Sequence, residues 1–323
     1  MRRIQEIGIV TDRERTFLEM PMKKATVTLV DVAKRAGVSV MTASRALNDE
    51  ESASKKAREK VRQAAQELGY APNALARMMK GGKTNVIGVI VNDLTSVVVN
   101  AFASAVGDAV RKHDMDLFIY SSHSGLEHGK GQQVSQLLHG LWDGLIYILP
   151  RVSPEYLQRL EAESNPIVLL NYCRETSLPV VRADNVGGAR DAVSHLIELG
   201  HRRIAFIRGA PQTGQSPERE QGYRNALEGA GLPLVPELIQ DGDFNELSGI
   251  EAGRALLALP EPPTAIFAAN DSMAIGCMSA VREKGLRIPE DVSIIGFDDI
   301  AMAAATQPGL TTLRQPVEAM AQA

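Results

Sequence analysis

The sequence predicts a small all-helical head followed by a larger α/β body, and three observations carry this prediction. Apolar residues at helical spacing fill the segment 28–68. Beyond residue 85, short apolar runs alternate with amphipathic stretches, which is typical of parallel sheets covered by helices on both faces. The 323 residues are 44% hydrophobic and 23% charged, an ordinary globular composition with room for two or three domains.

Three helices are predicted in the head, at 29–36, 40–47 and 55–68. Thr28, Ser39 and Ser54 are suitable N-caps, and Gly37 and Gly69 are stop signals. The side chains predicted to face inward are Leu29, Val32, Ala33, Ala36, Ala43, Ala46, Leu47, Ala57, Val61, Ala64, Ala65 and Leu68. Two short helices joined through a glycine are the pattern of a helix-turn-helix, whose second helix can enter the major groove of DNA.

Charge is distributed unevenly along the chain. Residues 1–83 carry 17 basic and 10 acidic side chains, whereas the remaining residues carry 18 and 29. A basic head on an acidic body indicates that only the head approaches a polyanion. Chance variation combined with solvated helix faces is the alternative explanation of these counts.

The cysteine and hydropathy patterns indicate an intracellular protein. Cys173 and Cys277 are far apart and form no C-x-x-C motif, which argues against a disulfide scaffold and suits a reducing compartment. No stretch approaches the roughly 18–20 apolar residues of a membrane span, and the run Ile7–Val10 is too short for a signal peptide. We therefore expect a cytoplasmic protein without a membrane partner.

Familiar enzyme motifs are incomplete in this chain. The segment 82–84 resembles the end of a phosphate-binding loop, but Arg77 stands where an earlier glycine is needed. The segment 129–131 lacks the third glycine of a dinucleotide fingerprint, and the six histidines form no H-E-x-x-H pair. We therefore expect no enzymatic activity, no cofactor and no metal.

Seven apolar runs are predicted strands of the body: Val86–Val91, Leu117–Tyr120, Leu145–Leu149, Ile167–Leu170, Ile204–Ile207, Ala265–Ala268 and Val292–Phe297. Ligands of open α/β sheets bind beyond the carboxyl ends of strands. The polar residues at those ends are Asn92, Asp93, Ser121, Ser122, Asn171, Asn270, Asp271, Asp298 and Asp299. They favour a hydrogen-bonding ligand, although Asp and Asn in such places also serve as helix caps and turn formers.

The runs TLVDVAKRAGVSVMTASRALN and REKVRQAAQELGYAPNALARMMKGGKT closely resemble the N-terminal domain of the lactose-repressor (LacI/GalR) family of bacterial transcription regulators. The resemblance extends to the end of the chain. It implies a helix-turn-helix domain at 25–70, a hinge at 71–84, and a periplasmic-binding-protein-like body at 85–323.

The same resemblance divides the body into two subdomains with a ligand cleft between them. An N-subdomain would comprise about 85–183 and 313–323, and a C-subdomain about 184–312, with crossovers near Ala183 and Thr312. Residues 1–24 precede the family's usual start, and we expect them to be a disordered extension. The family's final helix only begins before Ala323, so we expect a truncated C-terminus.

The resemblance also implies the residues that contact DNA. Base edges would be read by Val40, Met41 and Arg45, although Met41 could instead belong to the core of the head. An arginine can pair bidentately with guanine, and apolar side chains can contact thymine methyl groups. The positions implied for phosphate contacts are Thr28, Ser39, Thr42, Ser44 and Asn48.

In the family, paired hinges from two subunits insert an apolar side chain into the minor groove. Ala76 and Met79 occupy the matching positions here, and a plain linker is the alternative. Such a hinge implies a homodimer on a near-palindromic operator of double-stranded DNA.

The family's effector contacts match Asp93, Asn171, Arg219, Phe244, Asn270 and Asp298. Arg219 could instead form a surface salt bridge with Glu218 or Glu220. Val98 and Val99 stand where many members carry ring-stacking aromatics, so a sugar or sugar acid is favoured over a purine.

We therefore expect a ligand-responsive DNA-binding transcriptional regulator. The form expected is a repressor of a carbohydrate or sugar-acid catabolic operon, released from its operator by a small effector. A corepressor mode stays open. The alternatives are a solute-binding protein with the same body fold and an α/β sugar- or nucleotide-processing enzyme.

Overall fold

The computed structural model describes residues 27–47, 53–70, 83–121, 141–163, 166–210 and 213–323. Contacts divide the chain into two compact units, Met1–Lys80 and Gly81–Ala323, which we call the head and the body. The predicted 1–24 extension and most of the predicted hinge lie outside the described residues. Within the described ranges, no helix combines the length and the apolar character needed to cross a membrane.

The head contains the three predicted helices with their predicted bounds, α1 (Leu29–Ala36), α2 (Val40–Leu47) and α3 (Lys55–Leu68). Thr28 and Asp31 form a reciprocal capping box at the start of α1. Gly37 and Gly69 end α1 and α3 at φ of +68° and +64°, a conformation that favours glycine. The helices pack around a small core of Val32, Ala33, Ala43, Ala46, Ala53, Val61, Ala64 and Ala65.

The first half of the body forms a parallel sheet in the order β2-β1-β3-β4-β5. Its strands are β1 (Val86–Val91), β2 (Asp116–Ser121), β3 (Gly144–Ile148), β4 (Ile167–Leu170) and β5 (Val180–Val181). Two helices, α4 (Val97–Arg111) and α5 (Pro154–Glu161), cover opposite faces. Val89 and Val91 pack with Phe102 of α4, whereas Ile90 lies in the cluster that contains Tyr156 of α5. This alternation along one strand produces the predicted helix–sheet–helix layering.

The second half forms another parallel sheet, in the order β10-β9-β8-β6-β7. Its strands are β6 (Ile204–Ile207), β7 (Ile239–Gln240), β8 (Ala265–Ala268), β9 (Ser293–Asp298) and β10 (Thr311–Arg314). The helices that follow β5 are α6 (Asn185–Glu198), α7 (Gln215–Gly229), α8 (Glu246–Leu257), α9 (Asp271–Glu283), α10 (Ala301–Ala305) and α11 (Val317–Gln322). We call β1–β5 with α4, α5 and α11 the first lobe, and β6–β10 with α6–α10 the second lobe.

Within the described parts of the body, the chain passes between the lobes twice. The first passage lies between β5 and α6, around Ala183. The second was predicted near Thr312, which is two residues too early, because β10 continues to Arg314 and pairs there with Asp298. The chain then returns to the first lobe, where Met320 of α11 joins the core beneath α4.

The predicted strands differ from the observed strands in a few places. Leu149 was predicted to end β3, but its φ of +48° takes it out of the strand. Strands β5, β7 and β10 were not predicted, because they are only two to four residues long and carry no extended apolar run.

Candidate functional site

The start of α2 presents side chains that the core of the head does not use. Val40 and Met41 are 43% and 64% exposed, and Arg45 is exposed one turn later. The alternative that Met41 belongs to the core is therefore wrong. On the other side of this helix, Ala43 and Ala46 are fully buried. The helix is thus anchored by two alanines while its outer face stays open to a partner.

Hydroxyl side chains predicted to contact phosphates lie at the start of α1 and along α2. Ser39 Oγ accepts a hydrogen bond from Thr42 N at 3.1 Å and caps α2. The hydroxyls of Ser39 and Thr42 lie 2.9 Å apart. Thr28 is exposed and Ser44 is half-buried. Asn48, Ala76 and Met79, the other predicted DNA contacts, lie outside the described residues.

In the body, all six predicted effector contacts line one cleft of about 540 Å³. The ends of β1 and β4 contribute Asp93 and Asn171 from the first lobe. The second lobe contributes Arg219 from α7, with Phe244, Asn270 and Asp298 from its strand ends and loops. Six residues from six separate chain segments are therefore brought together at the carboxyl ends of two parallel sheets.

Arg219 is held in the cleft wall by four contacts. Its side chain is 3% exposed, and its Nε donates to Asn185 Oδ1 at 3.0 Å. Nη1 donates to Ala269 O and lies 3.5 Å from Asp298 Oδ1. The guanidinium carbon lies 3.8 Å from the centroid of the Phe297 ring. Burial lowers the pKa of Arg219, and the neighbouring Asp298 opposes that shift.

The alternative of a surface salt bridge for Arg219 is wrong. Its two acidic neighbours in sequence have other partners: Glu218 pairs with Arg182 at 2.8 Å, and Glu220 with Arg224 at 2.6 Å. Arg219 faces inward, and Asn185 connects it to Glu218 by accepting from Arg219 Nε and donating to Glu218 Oε2 at 2.9 Å.

A row of polar side chains joins the two lobes. Gln315 Nε2 donates to Asp298 Oδ1 at 2.6 Å, and Asn171 Nδ2 donates to Gln315 Oε1 at 3.2 Å. Gln215 Nε2 donates to the Asn171 carbonyl oxygen. Burial raises the pKa of Asp298, and Arg219 opposes this effect most strongly.

The sequence analysis did not identify Gln215, Gln315 or Asn185 as site residues. Gln315 directly follows β10, so prediction of that strand would have placed it at a strand end. Gln215 and Asn185 are the first residues of α7 and α6. Residues at the helix starts that follow strands were a signal available in the sequence, since these starts share the sheet edge with the strand ends.

Three of the six predicted residues have strained backbones. Asn171, Phe244 and Asp298 adopt φ of 59°, 58° and 122°, in the region that favours glycine. Such strain is concentrated at binding and active sites in proteins. The Phe244 ring also requires Gly209 beneath it, since a Cβ at Gly209 would lie 2.1 Å from the ring.

Capping and cleft-lining roles coincide at Asn270. Its Oδ1 caps α9 by accepting from Met273 N, and its Nδ2 donates to Phe244 O, both at 3.0 Å. Asp93 accepts from Thr95 N at 2.7 Å, as a turn former does. Asn270 and Asp93 therefore serve as helix cap and turn former, the alternative given for strand-end residues, and they also line the cleft.

Other strand-end candidates lie away from this cleft. Asp271 is buried, accepts from Ile300 N at 2.9 Å and Thr312 Oγ1 at 2.5 Å, and does not line the cleft. Asp299 pairs with Arg314 at 2.5 Å. Ser121 is not part of the cleft lining either. Asp271 and Asp299 hold the segment after β9 and the strand β10 in place.

The two cysteines show no reactive character. Cys277 is buried and Cys173 half-buried, and burial raises the pKa of each thiol to about 12. Both are therefore protonated near neutral pH. Over the ranges that the structure describes, no three His, Cys, Asp or Glu side chains are grouped as a metal site requires.

Comparison with known proteins assigns both units. Residues 28–73 match the family model described as "Bacterial regulatory proteins, lacI family", and residues 193–323 match "Periplasmic binding protein-like domain". The Lac repressor dimer bound to operator and the anti-inducer ONPF superposes with a TM-score of 0.81 at 30% identity, over 92% of this chain and 89% of that one. A CelR–cellobiose complex gives a TM-score of 0.67 at 33% identity, over 92% and 90% of the two chains.

Full-length regulators are similar in sequence as well. Catabolite control protein A of Priestia megaterium is 34% identical over 90% of this chain and 88% of that protein. The transcriptional repressor CytR of Escherichia coli is 34% identical over 91% of this chain and 86% of that protein. Both matches extend across the helical head and the two-lobed body. The chain therefore belongs to the lacI family of bacterial transcriptional regulators.

Proposed function

We propose that this protein represses a carbohydrate catabolic operon and is released from its operator when a small effector occupies the cleft. The observation that carries this proposal is the cleft itself, since residues from six separate segments converge on it. The exposed face of α2 supplies the DNA-reading surface that a solute-binding protein would not need. Relatives that are named as repressors support the same function.

On the operator, Arg45 pairs with a guanine, and Val40 and Met41 contact thymine methyl groups. Thr28, Ser39, Thr42, Ser44 and Asn48 hold phosphates and fix the register of the head. Ala76 and Met79 occupy the minor groove at the centre of a near-palindromic site. The last of these contacts needs two chains, so the active form is a homodimer.

The comparisons with solved structures support this dimer. One of the superposed Lac repressor structures is described as a dimer bound to operator. The charge balance agrees with binding by the head alone, because the net positive charge lies within residues 1–83.

Effector binding changes the relation of the lobes. Asn171 lies in the first lobe, and Arg219 and Asp298 lie in the second, so one ligand that contacts all three favours a single closed arrangement. Closure rotates the first lobe, separates the paired hinges and weakens DNA binding. The ligand shifts this equilibrium by its difference in affinity for the two arrangements, and a few kcal/mol suffices.

DNA recognition is tested by fluorescence anisotropy with DNA that flanks the gene, at one fixed salt concentration. Arg45→Ala is expected to lose most of the specific affinity, about 1–3 kcal/mol or more, and to keep weak non-specific binding. Arg62→Ala, an exposed arginine on α3, is the matched control. Equal loss of specific and non-specific binding in Arg45→Ala would show a structural role, and the absence of any specific complex would favour a solute-binding protein.

Effector binding is tested by a thermal-shift screen of sugars, sugar acids and nucleobases. A sugar is expected to raise the Tm of the wild type and to lose its effect in Arg219→Ala. Phe244→Ala leaves the buried ion pair in place and serves as a second variant if Arg219→Ala does not fold. A response to purines alone, or sugar binding that is undiminished in both variants, would contradict the proposal.

A further inference from the structure

One carboxylate holds the chain at the start of the body, and Thr84, the last residue of the predicted hinge, is bound to it. Asp143 Oδ1 accepts hydrogen bonds from Thr84 N at 2.7 Å and from Thr84 Oγ1 at 2.9 Å, and its Oδ2 accepts from Asn85 N at 2.9 Å. Three donors from two consecutive residues therefore converge on one side chain. We call Thr84, Asn85 and Asp143 the entry clamp, and none of them lines the effector cleft.

The backbone of the same segment is bound on both sides. Asn85 O accepts from Asp116 N of β2, and Val86 O accepts from Asp143 N, both at 2.8 Å. Val86 N donates to Thr84 Oγ1 at 3.2 Å. Asn85 has a φ of 55°, and strained backbone of this kind persists only where its surroundings hold it. The segment is therefore fixed to β2 and β3, the two neighbours of β1 in the sheet.

The clamp is built on a charged group. Burial acts to raise the pKa of Asp143, but the hydrogen bonds from Thr84 and Asn85 outweigh burial and hold the pKa below its ordinary value. The carboxylate is therefore ionised at neutral pH, and hydrogen bonds to an ionised acceptor are roughly twice as strong as those between neutral groups. The Thr84 hydroxyl donates to this carboxylate, so it is not available to a metal ion as the last residue of a phosphate-binding loop is.

Asp143 is itself held in place by its neighbours in sequence. Trp142 is buried against Gly88 of β1, where a Cβ would lie 2.6 Å from the indole ring. Gly144 pairs with Ile87 in the parallel ladder of β1 and β3. The clamp thus belongs to the centre of the sheet of the first lobe rather than to its edge.

The same two strands connect the clamp to the effector cleft. β1 and β3 begin beside the clamp, and beyond their other ends Asn92 and Leu149 line the cleft. The strands are joined there as well, since Asn92 Nδ2 donates to Leu149 O and Asn92 Oδ1 accepts from Tyr147 OH, both at 3.1 Å. β1 has six residues, which span about 20 Å. A rotation of the first lobe at the cleft would therefore displace the clamp as part of the same sheet.

We propose that Asp143 is a positioning residue for operator binding, which makes the start of the body part of the first lobe so that the lobe sets the position of the hinge. This inference rests on the proposed repressor function. In a dimer, two clamps hold the ends of the paired hinges at a fixed separation, and such preorganisation favours specific binding. Without the carboxylate, the segment must be ordered again each time the hinges pair on the operator.

The test is fluorescence anisotropy of the full-length protein with DNA that flanks the gene, at one fixed salt concentration. Asparagine offers one acceptor oxygen and alanine none, so specific affinity is expected to fall from the wild type to Asp143→Asn to Asp143→Ala, at least fivefold in the last. Binding to DNA of unrelated sequence is expected to be unchanged, because the head is unaltered. Asp116→Asn removes the same charge from an exposed side chain at the start of β2, and this matched control should bind as the wild type does.

Two further measurements separate positioning from a loss of folding. Trp142 is the single tryptophan of the chain and adjoins Asp143, so fluorescence typical of a buried indole shows that the start of β3 is intact. Hydrogen exchange in Asp143→Ala should become faster at 84–86 and stay slow in β3. Thr84→Val removes the hydroxyl but keeps the backbone donors, so it is the second variant if Asp143→Ala does not fold, and it should lose a smaller part of the specific affinity.

Three outcomes would overturn the inference. Specific affinity in folded Asp143→Ala equal to that of the wild type would do so, even with faster exchange at 84–86, because Asp143 would then only stabilise the first lobe. An equal loss of specific affinity in Asp116→Asn would assign the effect to charge rather than to the clamp. A wild type that forms no specific complex would instead refute the proposed repressor function, and this inference with it.

Discussion

The proposed reading face of α2 and the proposed effector cleft place their side chains in opposite environments. On α2, Val40, Met41 and Arg45 are exposed, and the packing of the helix depends on other residues. In the cleft, Arg219 and Asn171 are 3% and 1% exposed and belong to the hydrogen-bond network of the body. Function and stability are therefore separable in the head and coupled in the cleft.

The difference fits what each site is proposed to recognise. DNA is a large surface, so side chains that reach it must project from a fixed support, here the two buried alanines of α2. A small ligand is enclosed, and its recognition groups must be desolvated and held by neighbours. Substitutions at the two sites should consequently give different ratios of lost binding to lost stability.

The largest effect is expected from Asp298→Asn. This substitution leaves Arg219 as a buried charge without its counter-ion, and breaking a buried pair in this way costs about 3–5 kcal/mol. Calorimetric unfolding of the full chain should show a strongly lowered Tm. Binding of the effector should be lost together with stability.

Asp191→Asn is the matched control, because it removes the same charge from an exposed pair. Arg190 and Asp191 have side chains that are 56% and 63% exposed, so little change in stability is expected. A similar Tm for Asp298→Asn and Asp191→Asn would contradict the view that the cleft couples function to stability.

Asp271 is expected to give the body a dependence of stability on pH. Burial raises the pKa of this carboxyl from 3.8 to about 7, so the folded state holds a proton that the unfolded state releases. Its contribution is fully present below pH 4, falls by at most about 1.4 kcal/mol per pH unit as the pH rises toward 7, and is constant above. Urea unfolding between pH 4.5 and 8 should show this decline.

Asp271→Asn isolates this group from the other carboxyls. An asparagine can still accept from Ile300 N and can donate to Thr312 Oγ1, so the fold is expected to be kept. The variant should match the wild type near pH 4.5 and become progressively more stable than the wild type toward pH 7. If the free energies of unfolding of the two proteins change with pH in parallel, Asp271 does not titrate in this range.

A smaller effect is expected where helices α8 and α9 touch. A Cβ at Gly276 would lie 2.1 Å from Glu246 O, so Gly276→Ala should destabilise the second lobe by about 1–3 kcal/mol. The control is Gly229→Ala at the end of α7, where a Cβ would meet nothing within 4 Å. That variant should be neutral or more stable by roughly 0.4–1 kcal/mol, as urea unfolding would show. Equal behaviour of the two alanines would refute close helix packing at Gly276.

The difference between local and long-range interactions explains how much of the fold could be predicted from the sequence. The head was predicted to its helix bounds, because caps such as Thr28 and stops such as Gly37 are local signals. Strands with long buried runs, such as Val86–Val91, were found for the same reason. The short strands β5, β7 and β10 exist only through pairing with a neighbour, which no local pattern encodes.

Prediction of the cleft was less complete for a related reason. Family resemblance selected Arg219 and Asp298, and the structure places both in one wall. It did not indicate that Gln315 connects Asp298 to Asn171, since 144 residues separate Asn171 from Gln315 in the sequence. The network depends on burial and on the return of the chain after β10. Both are properties of the tertiary fold rather than of a motif.

The smallest effect on stability is expected from Met41→Ala on the reading face. Met41 is 64% exposed, and alanine favours the helix at least as well as methionine, so the free energy of unfolding should change by less than about 0.5 kcal/mol. Under the proposed DNA contacts, the same substitution removes an apolar contact with a thymine methyl group and should weaken the specific complex several-fold. Anisotropy and urea unfolding on one preparation measure both quantities. If stability falls in proportion to DNA affinity, Met41 contributes to the core of the head and the contrast with the cleft is lost. If only DNA affinity falls, α2 carries recognition on side chains that the fold does not need.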